Sequence, residues 1–193
     1  MRKSKEKVIE VATGLFHRKG YQPTSVDEIL ERSGVKKSTF YYHFKSKEEL
    51  ALKILDMRIE EFESDVISKT LCETSISPKN RLHKFYERVK AFHQSLKCYE
   101  GCPFGNLAIE MSDINEKFRT RLSAFFKRWE EAIESCIREG IENGDFRSDI
   151  NPTLAAGLIL SQLEGAIMMA KTYKTLDPLA NGAQTVLKLL QLA

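Results

Sequence analysis

Hydrogen-bond donors are concentrated in one short stretch near the start of the chain. Between residues 36 and 47, lysine, serine, threonine, tyrosine and histidine side chains follow one another at close spacing. Ammonium groups and hydroxyls bind phosphate oxygens and the edges of DNA bases, so the stretch indicates binding to a polyanion. The candidate donors are Lys36, Lys37, Ser38, Thr39, Tyr41, Tyr42, His43 and Lys47.

Two short helices must position these donors. Thr24 and Ser25 precede an acidic turn, which is typical of a helix N-terminus, and Ser33-Gly34-Val35 ends that helix. The pattern predicts a further short helix from Lys36 to about His43. Two short helices joined at a glycine form a helix-turn-helix pattern, whose second helix enters the major groove by its N-terminal end. The pattern alone leaves a purely structural helical pair open.

The remaining apolar residues also recur at helical spacing, and no alternating strand pattern of any length is present. We therefore predict an all-α fold. A three-helix N-terminal unit is joined through a long fourth helix, capped by Ser46, to a C-terminal helical bundle. The predicted domains are residues 1–50 and residues 51–193. A later helix is predicted from about Asn115, with Leu122, Phe126 and Trp129 on its apolar face.

The charge of the chain is concentrated at one end. Residues 1–50 hold 11 Lys and Arg against 7 Asp and Glu, whereas the rest hold 19 against 20. This distribution favours a polyanionic partner for the N-terminal end. No run of about eighteen apolar residues and no secretory signal is evident, so we expect a cytoplasmic protein without a membrane span.

Residues Thr24 to Leu50 read TSVDEILERSGVKKSTFYYHFKSKEEL and resemble the signature of the TetR family of bacterial transcriptional regulators. In that family a Gly-Val turn precedes a recognition helix that ends in two aromatic residues, His and Phe, before Lys-Ser-Lys-Glu-Glu-Leu. The segment VATGLFHRKGYQPTSV also follows the first helix and turn of the family. The close match covers residues 5–50 and implies a regulator, by family default a repressor, that binds double-stranded operator DNA.

The resemblance also implies a role for each candidate donor. Four residues at the start of the recognition helix would contact base edges, and its later tyrosines and histidine would face the duplex. The loop before the second helix would present a helix N-terminus to a phosphate, and the lysine at the start of the fourth helix would clamp another. The residues that would contact base edges are Lys36, Lys37, Ser38 and Thr39, and those that would face the duplex are Tyr41, Tyr42 and His43. The loop residues at the N-terminus of the second helix are Thr24 and Ser25, and the phosphate clamp is Lys47. Phe40 and Phe44 are expected in the core, and packing is the alternative role for either tyrosine.

The segment Leu154–Ala170 is apolar on nearly every face, which a single neighbouring helix cannot cover. TetR-family members use their last two helices as a four-helix dimer interface, so the resemblance implies a homodimer and a near-palindromic operator. A fully buried monomeric core is the alternative.

The family also encloses a small-molecule effector in its central helices, and the effector's identity does not transfer between relatives. Apolar and aromatic side chains are the candidates for such a pocket, although residues of this kind are more often ordinary core residues than ligand contacts. They are Phe85, Phe92, Phe104, Phe126, Trp129, Met168, Met169 and Tyr173.

The segment that starts at Gly101 resembles a Gly-Cys-x-x-Gly-Asn-Leu signature found in a TetR subgroup, some members of which respond to electrophiles or oxidants. Cys102 is then a candidate sensor thiol and Cys98 its resolving partner. Nearby Lys97 and a helix beginning near Gly105 would favour the Cys102 thiolate. The alternative is that Cys102 packs under the loop.

Enzymatic and metal-binding patterns are missing from the sequence. There is no HExxH, no phosphate-binding loop, no GxGxxG and no GxSxG. His93, Cys98 and Cys102 lack a further ligand pair for zinc, so no metal or cofactor is predicted. A small cysteine-dependent enzyme and a helical adaptor are the alternative functions.

Overall fold

A computed structural model describes residues 2–191, and these residues form helices and turns without a strand. A π-helical turn, Glu63–Ile67, continues the fourth helix. The α-helices are α1 Arg2–Lys19, α2 Val26–Ser33, α3 Lys37–His43, α4 Lys47–Phe62, α5 Pro78–Ser95, α6 Pro103–Met111, α7 Glu116–Glu142, α8 Pro152–Tyr173 and α9 Asp177–Leu190. The predicted all-α class is confirmed.

Local sequence signals fix several helix ends, and both ends of α2 lie as predicted. The Ser25 hydroxyl accepts a hydrogen bond from the backbone N–H of Glu28 at 3.0 Å and caps α2. Gly34 ends α2 in the left-handed region, with φ of 64°, where a side chain would be strained. At the start of α8, Asn151 caps the helix and Pro152 occupies its first turn.

The break before α6 is shorter than the sequence indicates. Helix α6 begins at Pro103 rather than near Gly105, because a proline in the first helical turn needs no N–H partner and has a helical φ. The chain turns before it through left-handed backbone at Lys97, Cys98 and Gly101, with φ of 50°, 57° and 75°.

The apolar face of α7 is as predicted at Leu122 and Trp129, but the phenylalanine between them on that face is Phe125 rather than Phe126. Phe125 is fully buried, whereas Phe126 is only half-buried. The buried series runs Phe118, Leu122, Phe125 and Trp129, with steps of four, three and four residues. The prediction of Phe126 rather than Phe125 on the buried face was therefore wrong, since two adjacent phenylalanines fit helical periodicity almost equally well in sequence alone.

The chain forms two compact units. The first contains the residues up to Glu60 together with Pro103–Leu122, and the second contains Glu61–Cys102 together with the residues from Ser123 onwards. Helix α6 and the start of α7 therefore pack with the N-terminal helices, which a single division after residue 50 does not describe. The division into functional domains at residues 1–50 and 51–193 stays a prediction.

The core of the first unit holds the two short helices against α1 and α4. Its buried members are Val8, Ala12, Leu15, Ile29, Phe40, Phe44, Leu50 and Ile54. Phe40 and Phe44 are thus in the core, as predicted. Because these two rings point inward, the other side chains of α3 are left for the surface.

In the second unit, α8 packs on α9 with one face, and another face is left uncovered by the residues that the structure describes. Its buried face includes Ile159, Leu163 and Ile167, whereas Leu154 and Leu158 are exposed. By length and composition α8 could also span a membrane, with a mean hydropathy of 1.4. The absence of a run of about eighteen apolar residues therefore does not by itself exclude a membrane-spanning helix.

Candidate nucleic-acid interface

Helix α3 presents most of the predicted donors to solvent. Lys36, Lys37 and Ser38 are exposed, and Tyr42 is the most exposed aromatic residue of the helix at 69%. The Lys37 ammonium lies 3.5 Å from the carboxylate of Asp27, and both groups are exposed, so water and salt weaken this pair. The ammonium therefore stays available for a stronger anion such as a phosphate.

The other members of the helix are partly covered. Tyr41 is half exposed and its ring packs edge-on to Phe40 at 5.2 Å. Thr39 is half-buried. The His43 ring is half-buried between its neighbours, and its Nε2 atom has no hydrogen-bond partner among the described residues. In this conformation Nε2 does not face solvent, so the expected phosphate contact of His43 stays a prediction.

The turn between α1 and α2 uses Thr24 and Ser25 differently. Thr24 is fully buried, and its hydroxyl donates a hydrogen bond to the carbonyl of Gly20 at 2.7 Å. Ser25 is exposed and its hydroxyl caps α2. Thr24 therefore shapes the turn, while Ser25 and the free N–H groups beside it form the surface of the helix N-terminus.

Lys47 lies against the same turn. Its Nζ atom donates to the carbonyls of Tyr21, Gln22 and Thr24 at 3.0, 3.3 and 3.0 Å, and lies 4.2 Å from the centre of the Tyr21 ring. An ammonium has three donors, and all three are used here. Burial lowers the pKa of Lys47, although nearby Glu110 opposes that change. The sequence alone did not reveal this role, and the predicted phosphate clamp would require Lys47 to leave the turn.

Comparison with known proteins decides the family. Residues 8–54 match the profile described as "Bacterial regulatory proteins, tetR family", and residues 78–186 match "Tetracyclin repressor-like, C-terminal domain". The HTH-type transcriptional repressor DhaR of Mycobacterium sp. (strain GP1) is 33% identical over 178 residues, which is 91% of this chain and 86% of DhaR. The chain belongs to the TetR family. It is a DNA-binding transcriptional regulator, and its family comprises regulators rather than enzymes.

Solved TetR-family structures share the whole fold. A TetR transcriptional regulator from Chloroflexus aurantiacus is 29% identical, with a TM-score of 0.87 and full coverage of both chains. The regulatory protein TetR from Rhodobacter sphaeroides is 26% identical, with a TM-score of 0.88 over 96% of this chain and 97% of that one. The resemblance to the TetR family that was seen in residues 5–50 therefore holds for the fold of nearly the whole chain.

The eight predicted effector-pocket residues are not brought together. Phe85 and Trp129 are buried in the second unit with ring centres 6.0 Å apart, and half-buried Phe126 stacks on Trp129 at 6.2 Å. Phe104 lies in the first unit, where it lines a cavity of about 110 Å³ between α1, α4 and α6. The remaining four are exposed: Phe92, Met168, Met169 and Tyr173.

The predicted sensor thiols are both buried. Cys98 and Cys102 are each 6% exposed. Cys102 donates a hydrogen bond to the Glu164 carboxyl, whose pKa burial raises and this bond partly lowers. The neighbour identified for the thiol is thus a carboxyl rather than the Lys97 ammonium expected from the sequence. No cluster of metal-ligating side chains is found among residues 2–191.

Proposed function

We propose that the protein is a repressor whose recognition surface is the exposed side of α3 together with the N-terminal end of α2. The single observation that carries this proposal is the division of α3 into two faces. Phe40 is fully buried, while Lys36, Lys37 and Tyr42 are exposed. In this arrangement the core fixes the helix and the solvent side carries donors for base edges and phosphates.

We further propose that the protein acts as a homodimer in the cytoplasm. Exposed apolar side chains on α8 recur at heptad-like spacing, at Leu154, Leu158 and Met168, and Leu189 is exposed on α9. A solvent-facing stripe of this kind on a long helix is costly unless a second apolar surface covers it. A second copy related by a two-fold axis would supply that surface and would pair two recognition helices on a near-palindromic operator.

For the effector, the aromatic cluster of the second unit supports an apolar ligand with a hydrogen-bond acceptor. Phe62, Phe85, Phe125 and Phe126 surround Trp129, whose indole N–H is buried and has no hydrogen-bond partner among the described residues. An unmade hydrogen bond in a buried site costs about 1–3 kcal/mol. A ligand carbonyl or ether oxygen that reached this N–H would recover that energy. The role of Cys102 as a sensor stays a prediction.

The first test is selection of random duplex DNA by the purified protein, followed by gel shift of the selected sequence. We expect a near-palindromic sequence. Lys37→Ala should weaken its binding and reduce the salt dependence of log Kd by about one unit for each phosphate that the side chain neutralises.

The matched control is Lys79→Ala, which removes the same charge from an exposed position at the start of α5. Its effect on operator affinity should be small. Selection of no sequence at all, or an equally large effect of both variants, would contradict the proposed surface.

A further inference from the structure

A carboxylate of α6 binds the turn that precedes α2. The Glu110 carboxylate accepts the backbone N–H of Tyr21 at 2.9 Å and that of Gln22 at 2.6 Å. These hydrogen bonds join residues 89 and 88 positions apart in the chain, within the first compact unit. Each oxygen accepts one N–H, and hydrogen bonds to a charged acceptor are stronger than those between neutral groups.

The turn is shaped to admit this carboxylate. Gly20 has a φ of 95°, and a Cβ atom placed there would lie 3.1 Å from the nearer Glu110 oxygen. An alanine at this position would therefore be strained in its backbone and crowded against Glu110. The carboxylate and the glycine fit each other as a pair.

Glu110 and Lys47 hold the turn from its two polar sides. Glu110 takes two of its N–H groups, and Lys47 takes three of its carbonyls, including that of Thr24 just before the α2 cap. We call this arrangement the turn clasp: Glu110, Lys47 and the segment from Gly20 to Thr24. It gives hydrogen-bond partners to two N–H groups and three carbonyls of the tight turn, of which the Tyr21 carbonyl also accepts the N–H of Thr24 at 3.3 Å.

Further contacts attach the segment after α6 to the same surface. The Tyr21 ring packs against Phe118 with centres 5.3 Å apart. The Glu48 carboxylate at the start of α4 accepts hydrogen bonds from Asn115 at 2.8 Å and from Lys117 at 2.5 Å. Helix α6 and the beginning of α7 are therefore fixed to the starts of α2 and α4, and Glu110 makes the hydrogen bonds to the turn itself.

We infer that Glu110 is a positioning residue for operator binding, through which α6 holds the α1–α2 turn and the N-terminus of α2 in the orientation that fits a phosphate. The inference rests on the proposed recognition surface. Without Glu110 the turn loses the acceptor of two N–H groups, and its ordering must then occur during DNA binding, which lowers affinity.

Electrostatics alone predicts the opposite result, which makes the inference testable. Removing a negative charge from the DNA-binding unit should tighten binding to a polyanion. If Glu110 positions the turn, Glu110→Gln should instead raise the operator Kd about tenfold, because the neutral amide offers one oxygen in place of two. Glu110→Ala should raise it further.

The matched control is Asp113→Asn. Asp113 is exposed three residues later, with no hydrogen bond of its side chain found among the described residues, and this substitution removes the same charge. We expect its operator Kd to be equal to or slightly below that of the original protein. Thermal unfolding of each variant should confirm that the folded protein is being compared.

Two further measurements separate positioning from a general loss of structure. Amide hydrogen exchange at Tyr21 and Gln22 should accelerate in Glu110→Gln, while exchange in the buried part of α1 stays slow. The salt dependence of log Kd should be unchanged, since Glu110 contacts no phosphate. Faster exchange with an unchanged or lower operator Kd would overturn the inference.

The same assay distinguishes this inference from the proposed function. If Lys37→Ala weakens operator binding and Glu110→Gln does not, the recognition surface stands and the role of Glu110 is wrong. If Lys37→Ala has no effect, the recognition surface itself is wrong, and the inference fails with it.

Discussion

Single side chains in the turn before α2 have structural duties that their residue types do not reveal. Lysine at the start of a fourth helix and threonine before a second helix both suit phosphate binding. Here the Thr24 hydroxyl donates a hydrogen bond to the carbonyl of Gly20, and the Lys47 ammonium donates three hydrogen bonds to backbone carbonyls of the turn. In this conformation both side chains therefore determine the shape of the turn.

This assignment gives a prediction for Lys47. We expect Lys47→Ala to raise the operator Kd while the salt dependence of log Kd changes by less than about one unit, because the ammonium is occupied by the turn. Lys45→Ala is the control, since Lys45 is exposed two residues earlier. Gel shifts at several salt concentrations measure both quantities. A slope reduced by about one unit in Lys47→Ala alone would support the phosphate clamp that the family resemblance implies.

At the scale of helices, sequence signals that act over a few residues were sufficient for much of the fold. Ser25, Gly34 and Asn151 mark helix ends because a cap or a left-handed residue works within one turn of its helix. The rotation of a helix about its own axis is harder to predict. The alternatives Phe125 and Phe126 differ by one position, and only the neighbouring helices decide which ring is buried.

The corrected face of α7 makes a paired prediction for stability. Phe125 is fully buried and packs within 5.6 Å of both Phe62 and Trp129, measured between ring centres. Phe125→Ala should therefore lower the free energy of unfolding by about 3–5 kcal/mol, as for other large core deletions. Phe126→Ala should cost clearly less, since that ring is half-buried. Denaturant unfolding at one fixed protein concentration compares them, and equal destabilisation by both variants would contradict the assigned face.

Contacts between distant segments lie beyond what one sequence can reveal. Nothing in the sequence around Glu110 indicates that its carboxylate binds the backbone of Tyr21 and Gln22. The burial of the pocket candidates could not be predicted either. Phe85 and Phe92 lie on the same helix, yet Phe85 is buried and Phe92 is exposed. A covariation between Glu110 and Gly20 among relatives is the signal that could have found the turn clasp.

At the scale of the whole molecule, the proposed dimer joins the uncovered face of α8 to DNA binding. One recognition helix reads half of an operator, so affinity depends on two copies held at a fixed separation. The exposed apolar stripe on α8 is not covered by any part of the chain between residues 2 and 191, and the buried face of the helix already packs on α9. Loss of the dimer should therefore remove operator binding without unfolding the protein.

Leu158→Glu tests this link. Leu158 is 62% exposed on α8, so a glutamate there is harmless in an isolated chain but would place two like charges near the two-fold axis of a dimer. We expect sedimentation at micromolar concentration to show a monomer and gel shift to show at least about a hundredfold weaker operator binding. Ile109→Glu is the control for sedimentation, because Ile109 is 85% exposed on α6 and outside the proposed interface. A Leu158→Glu protein that remains dimeric, or a monomer that binds the operator as tightly as before, would show that α8 does not pair the recognition helices.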